Sequence, residues 1–142
     1  MKPVLLACLA VILYAGQNVM MDMKLSKFST ISILVLGYLV MLPLSLIRIG
    51  SMRLTGEAIV FPNGIFLWLA LLTGLIWFLA DYAYVSAYTS GGSLLTITTI
   101  VTLFPVVASV AKFIWTGGLP NSYQIAGYIL AATAVYLVGK GA

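Results

Sequence analysis

Histidine is absent from the 142 residues, cysteine occurs once, and acidic residues occur three times. Without an imidazole there is no histidine metal ligand, no Ser-His-Asp triad and no imidazole general base. Cys8 alone gives neither an intrachain disulfide nor a thiolate metal cage, so no metal site and no cofactor are expected. Charge is equally scarce: 7% of residues are charged, against about a quarter in a typical soluble domain. Such a chain cannot cover its surface with polar groups in water, which speaks against a soluble enzyme, a nucleic-acid-binding domain and a disordered protein. The acids are Asp22, Glu57 and Asp81, too few to suggest catalysis, and the chain is not read as an enzyme. The net charge of +4 comes from Lys and Arg in ones and twos. That is too dispersed for nucleic acid, and it matches the flanks of transmembrane helices.

What is present is apolar: 63% of residues, with a mean hydropathy of +1.16, in long runs that point to the bilayer as solvent. Leu5-Leu6-Ala7-Cys8 resembles the end of a lipoprotein signal. The apolar stretch before Cys8 is shorter than the roughly 7–15 residues a secretory signal needs, and the run continues to Met21. A first membrane helix with Cys8 inside it is the better reading. The spacing predicts an all-α integral membrane protein with five transmembrane helices, at about 3–21, 30–49, 64–88, 93–116 and 122–138. Together they form one five-helix transmembrane domain over residues 1–142 of a multi-pass protein of the cell membrane. Alternation with a ten-residue period is absent, so a β-barrel is not supported.

Five spans place the termini on opposite sides. Lys2, Arg48, Arg53 and Lys112 then share one side, and Lys24, Lys27 and Lys140 the other. Four against three leaves two readings open under the positive-inside rule: a weakly biased single orientation with the N-terminus in the cytoplasm, or insertion both ways.

Polar side chains inside spans are costly and face a cavity or another helix. Tyr14, Gln17 and Asn18 end the first helix, Thr96, Thr98 and Thr99 begin the fourth, and Thr133 and Tyr136 end the fifth. Asp81 lies in the third, where Trp77, Asp81, Tyr84 and Tyr88 follow helical spacing along one face. All these sets fall about 10 Å inside the same boundary. Asp81 is the one acid deep in a span. Counting along the helices puts Lys112 near the opposite face, so Asp81 must be neutral, solvated, or satisfied by Tyr, Gln, Asn or Thr. A carboxylate in such a place can carry a proton, which makes Asp81 a candidate for proton coupling or cation binding; the alternative is a structural polar contact. The aromatic stripe reads either as an interfacial belt or as substrate lining. Pro43 and Pro105 should kink helices two and four. Gly127 and Ala131 form a small-residue pair suited to close helix packing.

The stretch Tyr82-Ala83-Tyr84-Val85-Ser86-Ala87-Tyr88, the turn Ser90-Gly91-Gly92-Ser93, Phe104-Pro105-Val106, and Gly117 with Leu119, Gln124 and Gly127 resemble the second part of an EamA domain. That domain is the repeat unit of the drug/metabolite transporter superfamily. Helices one and two fit the layout through Asn18, the Lys24 region and hydropathy. The family often has Gly-Glu after its fourth helix; here Gly118 follows Gly117, so no role of that carboxylate carries over. The resemblance implies a transporter of small metabolites or organic cations. Most members carry two inverted repeats around a central cavity, and this chain shows one.

Inverted repeats build their site at the interface between them, and the balanced charges suit an antiparallel homodimer of dual topology. The expectation is therefore a secondary transporter, an exporter, working by alternating access. Asp81 would be its coupling or cation-recognition group, with a small-molecule solute and protons as partners alongside the bilayer. Trp77, Tyr84 and Tyr88 would supply aromatic walls, and Tyr14, Gln17, Asn18, Thr96 and Thr99 hydrogen bonds. The rival reading is an accessory membrane subunit, such as one partner of a heteromeric lipid-carrier flippase.

Overall fold

The computed structural model describes residues 2–117 and 120–141. Gly118 and Leu119, on which part of the turn motif falls, lie outside the described residues. Every regular element among the described residues is helical: α1 (Lys2–Met20), continued by a π-helical turn at Met21–Leu25, then α2 (Thr30–Leu54), α3 (Ile65–Thr89), α4 (Leu94–Val101), α5 (Phe104–Thr116) and α6 (Ser122–Gly141). Five segments are long and apolar enough to cross a membrane: Pro3–Leu25, Thr30–Leu54, Ile65–Thr89, Leu94–Thr116 and Ser122–Lys140.

Local chemistry sets the ends of these helices. Ser29 caps α2, its Oγ accepting from the Ser32 N–H at 3.4 Å. Ser93 caps α4, accepting from the Thr96 N–H at 3.2 Å. Asn121 and Gln124 form a reciprocal box at the start of α6: Asn121 Oδ1 accepts from the Gln124 N–H at 2.8 Å and Gln124 Oε1 from the Asn121 N–H at 2.9 Å. Gly117 ends α5 in the left-handed region at φ +68°, its N–H donating to the Phe113 carbonyl at 2.8 Å.

The two inner prolines behave differently. Helix α2 runs unbroken through Pro43. The fourth span divides at Thr102–Leu103, with Pro105 in the first turn of α5. Pro105 has no N–H to offer the Val101 carbonyl, and the Leu103 N–H turns to the Ile100 carbonyl at 3.0 Å, a tighter i→i−3 bond.

The chain divides into two compact units, Lys24–Ser90 and Met1–Met23 with Gly91–Ala142. In the first unit α2 and α3 form an antiparallel hairpin. Thr30 Oγ1 meets Thr89 Oγ1 at 2.8 Å, Ser86 Oγ donates to Thr30 Oγ1 at 3.3 Å, and Tyr38 Oη donates to Asp81 Oδ2 at 2.8 Å. Leu34, Val85 and Tyr88 are buried at this end. At the opposite end Arg48 and Glu57 form an exposed ion pair at 3.1 Å. The loop there folds back through the Glu57 N–H, which bonds the Met52 carbonyl at 2.9 Å.

In the second unit α4 packs against both α1 and α6. Asp22 Oδ1, in the π-helical turn, accepts from the Leu94 N–H at 3.0 Å and so ties the end of α1 to the start of α4. Ser109 on α5 hydrogen-bonds Tyr128 on α6. Asn18, Met21 and Ile97 are buried. A Cβ on Gly127 would meet nothing within 4 Å, so no other element of the described residues lies against that glycine.

Candidate functional site

The hairpin register positions the one mid-span acid. Thr30 faces Thr89 and, eight residues further along each helix, Tyr38 faces Asp81. Eight residues of helix measure about 12 Å, so the pair lies that far inside the end of the span. Asp81 is nevertheless exposed. Its hydrogen bond from Tyr38 is therefore a side-chain pair on the open surface of the hairpin, at a depth where hydrocarbon would offer the carboxylate nothing.

Aromatic rings line this face. Tyr38 and Phe78 lie 6.4 Å apart, centroid to centroid, and Phe78 and Tyr82 lie 6.2 Å apart. Phe78 precedes Asp81 by three residues and Tyr82 by four, the spacing of neighbours on a helix surface. Trp77, one turn before Asp81, is 67% exposed.

The stripe read from α3 thus separates into two parts. Trp77 and Asp81 are open. Tyr84 and Tyr88 pack edge-to-face at 5.5 Å with hydroxyls 3.5 Å apart, and Tyr88 is 1% exposed. Tyr88 is core, and Tyr84 packs on it.

Of the remaining residues singled out by sequence, Tyr14 and Gln17 are exposed on α1, whereas Asn18 is buried. The threonines of α4 turn to local structure. Thr96 Oγ1 lies 2.9 Å from the Ser93 hydroxyl at the cap. Thr98 Oγ1 donates to the Leu94 carbonyl at 2.7 Å and Thr99 Oγ1 to the Leu95 carbonyl at 2.5 Å. Thr102 Oγ1 donates to the Thr99 carbonyl at 2.6 Å, beside the helix break. Thr133 Oγ1 likewise donates to the Ile129 carbonyl at 2.8 Å. Among the described residues no cluster of three or more Asp, Glu, Cys or His could hold a metal ion.

Tyr38 and Phe78 of the open site are not singled out by the sequence, and Tyr82 enters there only as part of the Tyr82–Tyr88 motif. A signal for Tyr38 was present: it is the only side chain able to hydrogen-bond within the stretch 33–44. Placing it opposite Asp81 also requires the register of the hairpin.

Five helices long and apolar enough to cross a membrane mark a multi-pass membrane protein. The chain belongs to the EamA-like transporter family, which matches residues 1–140. Members of that family are membrane transporters of the drug/metabolite superfamily rather than enzymes. No curated protein and no solved structure matches the chain.

Proposed function

We propose that the chain exports a small solute across the cell membrane by alternating access, with Asp81 facing the solute path and exchanging a proton for solute. The observation that carries this reading is the placement of the one acid of α3 about 12 Å inside its span, bonded to the Tyr38 hydroxyl. A carboxylate costs about 2.5–3.5 kcal/mol at a helix centre on insertion scales and less toward the ends, and such residues face a water-filled cavity or a partner rather than lipid. One hydrogen bond from Tyr38 does not replace a hydration shell.

The five spans act as one transmembrane domain that pairs with an inverted second copy. Two features support that pairing. Basic residues are nearly balanced between the two membrane faces. Inverted units also place solute sites near the midplane where they meet. Trp77 is exposed on the same helix as Asp81, one turn away. Tyr84 and Tyr88 support the hairpin that carries the site, whereas Asn18, Thr96 and Thr99 belong to the other unit.

The test is uptake into liposomes holding the purified chain, with an acidic interior and labelled amino acids, sugars and organic cations offered outside. One class should accumulate, and Asp81→Asn should lower its initial rate at least about tenfold. Equal rates for wild type and Asp81→Asn would overturn the role of the carboxylate. Failure of the chain to move any solute until a second, different chain is added would favour the accessory-subunit reading.

A further inference from the structure

We infer that the segment 58–62, between α2 and α3, is an interfacial anchor: it lies in the headgroup boundary of the bilayer, with Val60 and Phe61 in contact with lipid. Its partner is the membrane surface, and the inference does not depend on what the chain transports.

Composition is the first argument. Connections between membrane helices are commonly small and polar, as Ser26-Lys27-Phe28-Ser29 and Ser90-Gly91-Gly92-Ser93 are here. Residues 58–62 instead read Ala-Ile-Val-Phe-Pro, and no charged side chain follows Glu57 until Asp81. Val60 is 88% and Phe61 64% exposed. Exposed apolar side chains are ordinary on the spans, where lipid covers them. These two lie between spans, where an apolar patch needs a cover of its own.

The register of the hairpin says where the segment starts. Thr30 meets Thr89 and Tyr38 meets Asp81, so the same antiparallel register sets Ser51 level with Trp68. Ser51 lies 21 residues beyond Thr30, about 31 Å along the helix, which matches the thickness of the hydrocarbon core. Trp68 is an exposed indole at that level, where interfacial aromatics gather.

Two contacts return the chain to this level after α2 has passed it. The Glu57 N–H donates to the Met52 carbonyl at 2.9 Å. The Glu57 carboxylate meets Arg48 at 3.1 Å, and the other terminal nitrogen of Arg48 donates to Ser51 Oγ at 3.1 Å. The apolar run therefore leaves from the hydrocarbon edge, with the Glu57 charge offset by Arg48 at its base.

Backbone chemistry then sets the depth. Residues 57–63 are not helical, and irregular backbone exposed to lipid has no place in the hydrocarbon core. The side chains of Ile59, Val60 and Phe61 gain by leaving water. The headgroup boundary meets both demands, offering water to the peptide groups and acyl chains to the side chains.

The experiment places a nitroxide on single cysteines of the full chain, in a Cys8→Ser background. Lipid nanodiscs expose both membrane faces to two collision reagents: oxygen, which concentrates in lipid, and a water-soluble nickel chelate. Ser90→Cys, in the polar turn, gives the aqueous limit, and Leu72→Cys, exposed within the α3 span, gives the lipid limit. Val60→Cys and Phe61→Cys fall outside every helix. At both, nickel collisions should be at least about fivefold rarer than at Ser90→Cys and oxygen collisions about twofold more frequent, as for side chains buried about 5–10 Å into the boundary.

Nickel collisions as frequent at 60 and 61 as at 90 would overturn the anchor by placing the segment in water. Rare collisions with both reagents would overturn it too, because protein, such as a second copy of the chain, would then cover the segment. Neither result bears on the proposed role of Asp81.

Discussion

The two units of the chain share helix caps and hydroxyl-to-carbonyl bonds, as at Ser29, Ser45 and Thr73 of the hairpin, but differ at one pair. In the unit formed by α1 and α4–α6, hydroxyl, amide and carboxylate groups cap helices or bond nearby carbonyls: Ser93 with Thr96, Thr98, Thr99, Asn121 with Gln124, and Asp22 on the Leu94 N–H. These bonds give the polar side chains local partners, so that none is left facing hydrocarbon unpaired. In the α2–α3 hairpin, Tyr38 and Asp81 bond side chain to side chain, mid-span and on an open face. That pair satisfies no backbone group and leaves a carboxylate where lipid would penalise it. Polarity alone therefore says little about function in a membrane helix. What distinguishes a candidate site is polarity that the fold does not consume.

Several substitutions can break or sharpen this contrast. The largest effect is expected at Asp81. Asp81→Asn should cost at least about tenfold in uptake while the midpoint of unfolding in mixed micelles barely moves, since an exposed pair of this kind contributes at most about 1 kcal/mol. Loss of stability with uptake retained would make the pair structural and erase the contrast.

Asp22→Ala should do the reverse, lowering unfolding stability by about 1–2 kcal/mol through loss of a charged acceptor at the start of α4. Asp22→Asn should recover at least half of that in the same titration. Gln124→Ala removes one arm of the capping box on α6, and a loss of about 0.5–1 kcal/mol is expected by the same measurement. Thr99→Val should be the quietest. Its hydroxyl bonds the carbonyl four residues back, so uptake should stay within about twofold. A tenfold loss there would assign α4 to the solute path.

The spans were legible because length and apolarity alone distinguish a membrane helix. The break in the fourth span was legible as a Pro105 kink, but its position at Thr102–Leu103 depends on which carbonyl the Leu103 N–H selects. The π-helical continuation of α1 through Asp22 left no trace in the hydropathy pattern, because Met21–Leu25 mixes charged and apolar residues as a loop would. Asp81 stood out as the lone deep acid. Its partner did not, because periodicity shows which residues of α3 share a face and not which residue of α2 meets that face. The Thr30–Thr89 contact sets this register, and once it is known Tyr38 follows by counting. Tyr84 and Tyr88 match the helical stripe as well as Trp77 does. Only packing separates the buried Tyr88 from the open indole.

The central claim is that Asp81 looks into a water-filled path and not into lipid. Asp81→Cys in a Cys8→Ser background, treated in intact liposomes with a cationic, water-soluble methanethiosulfonate, tests it directly. Such reagents attack the thiolate, which forms only where water reaches the sulfur. The account predicts prompt labelling. A thiol that stays unlabelled until detergent unfolds the chain would contradict it.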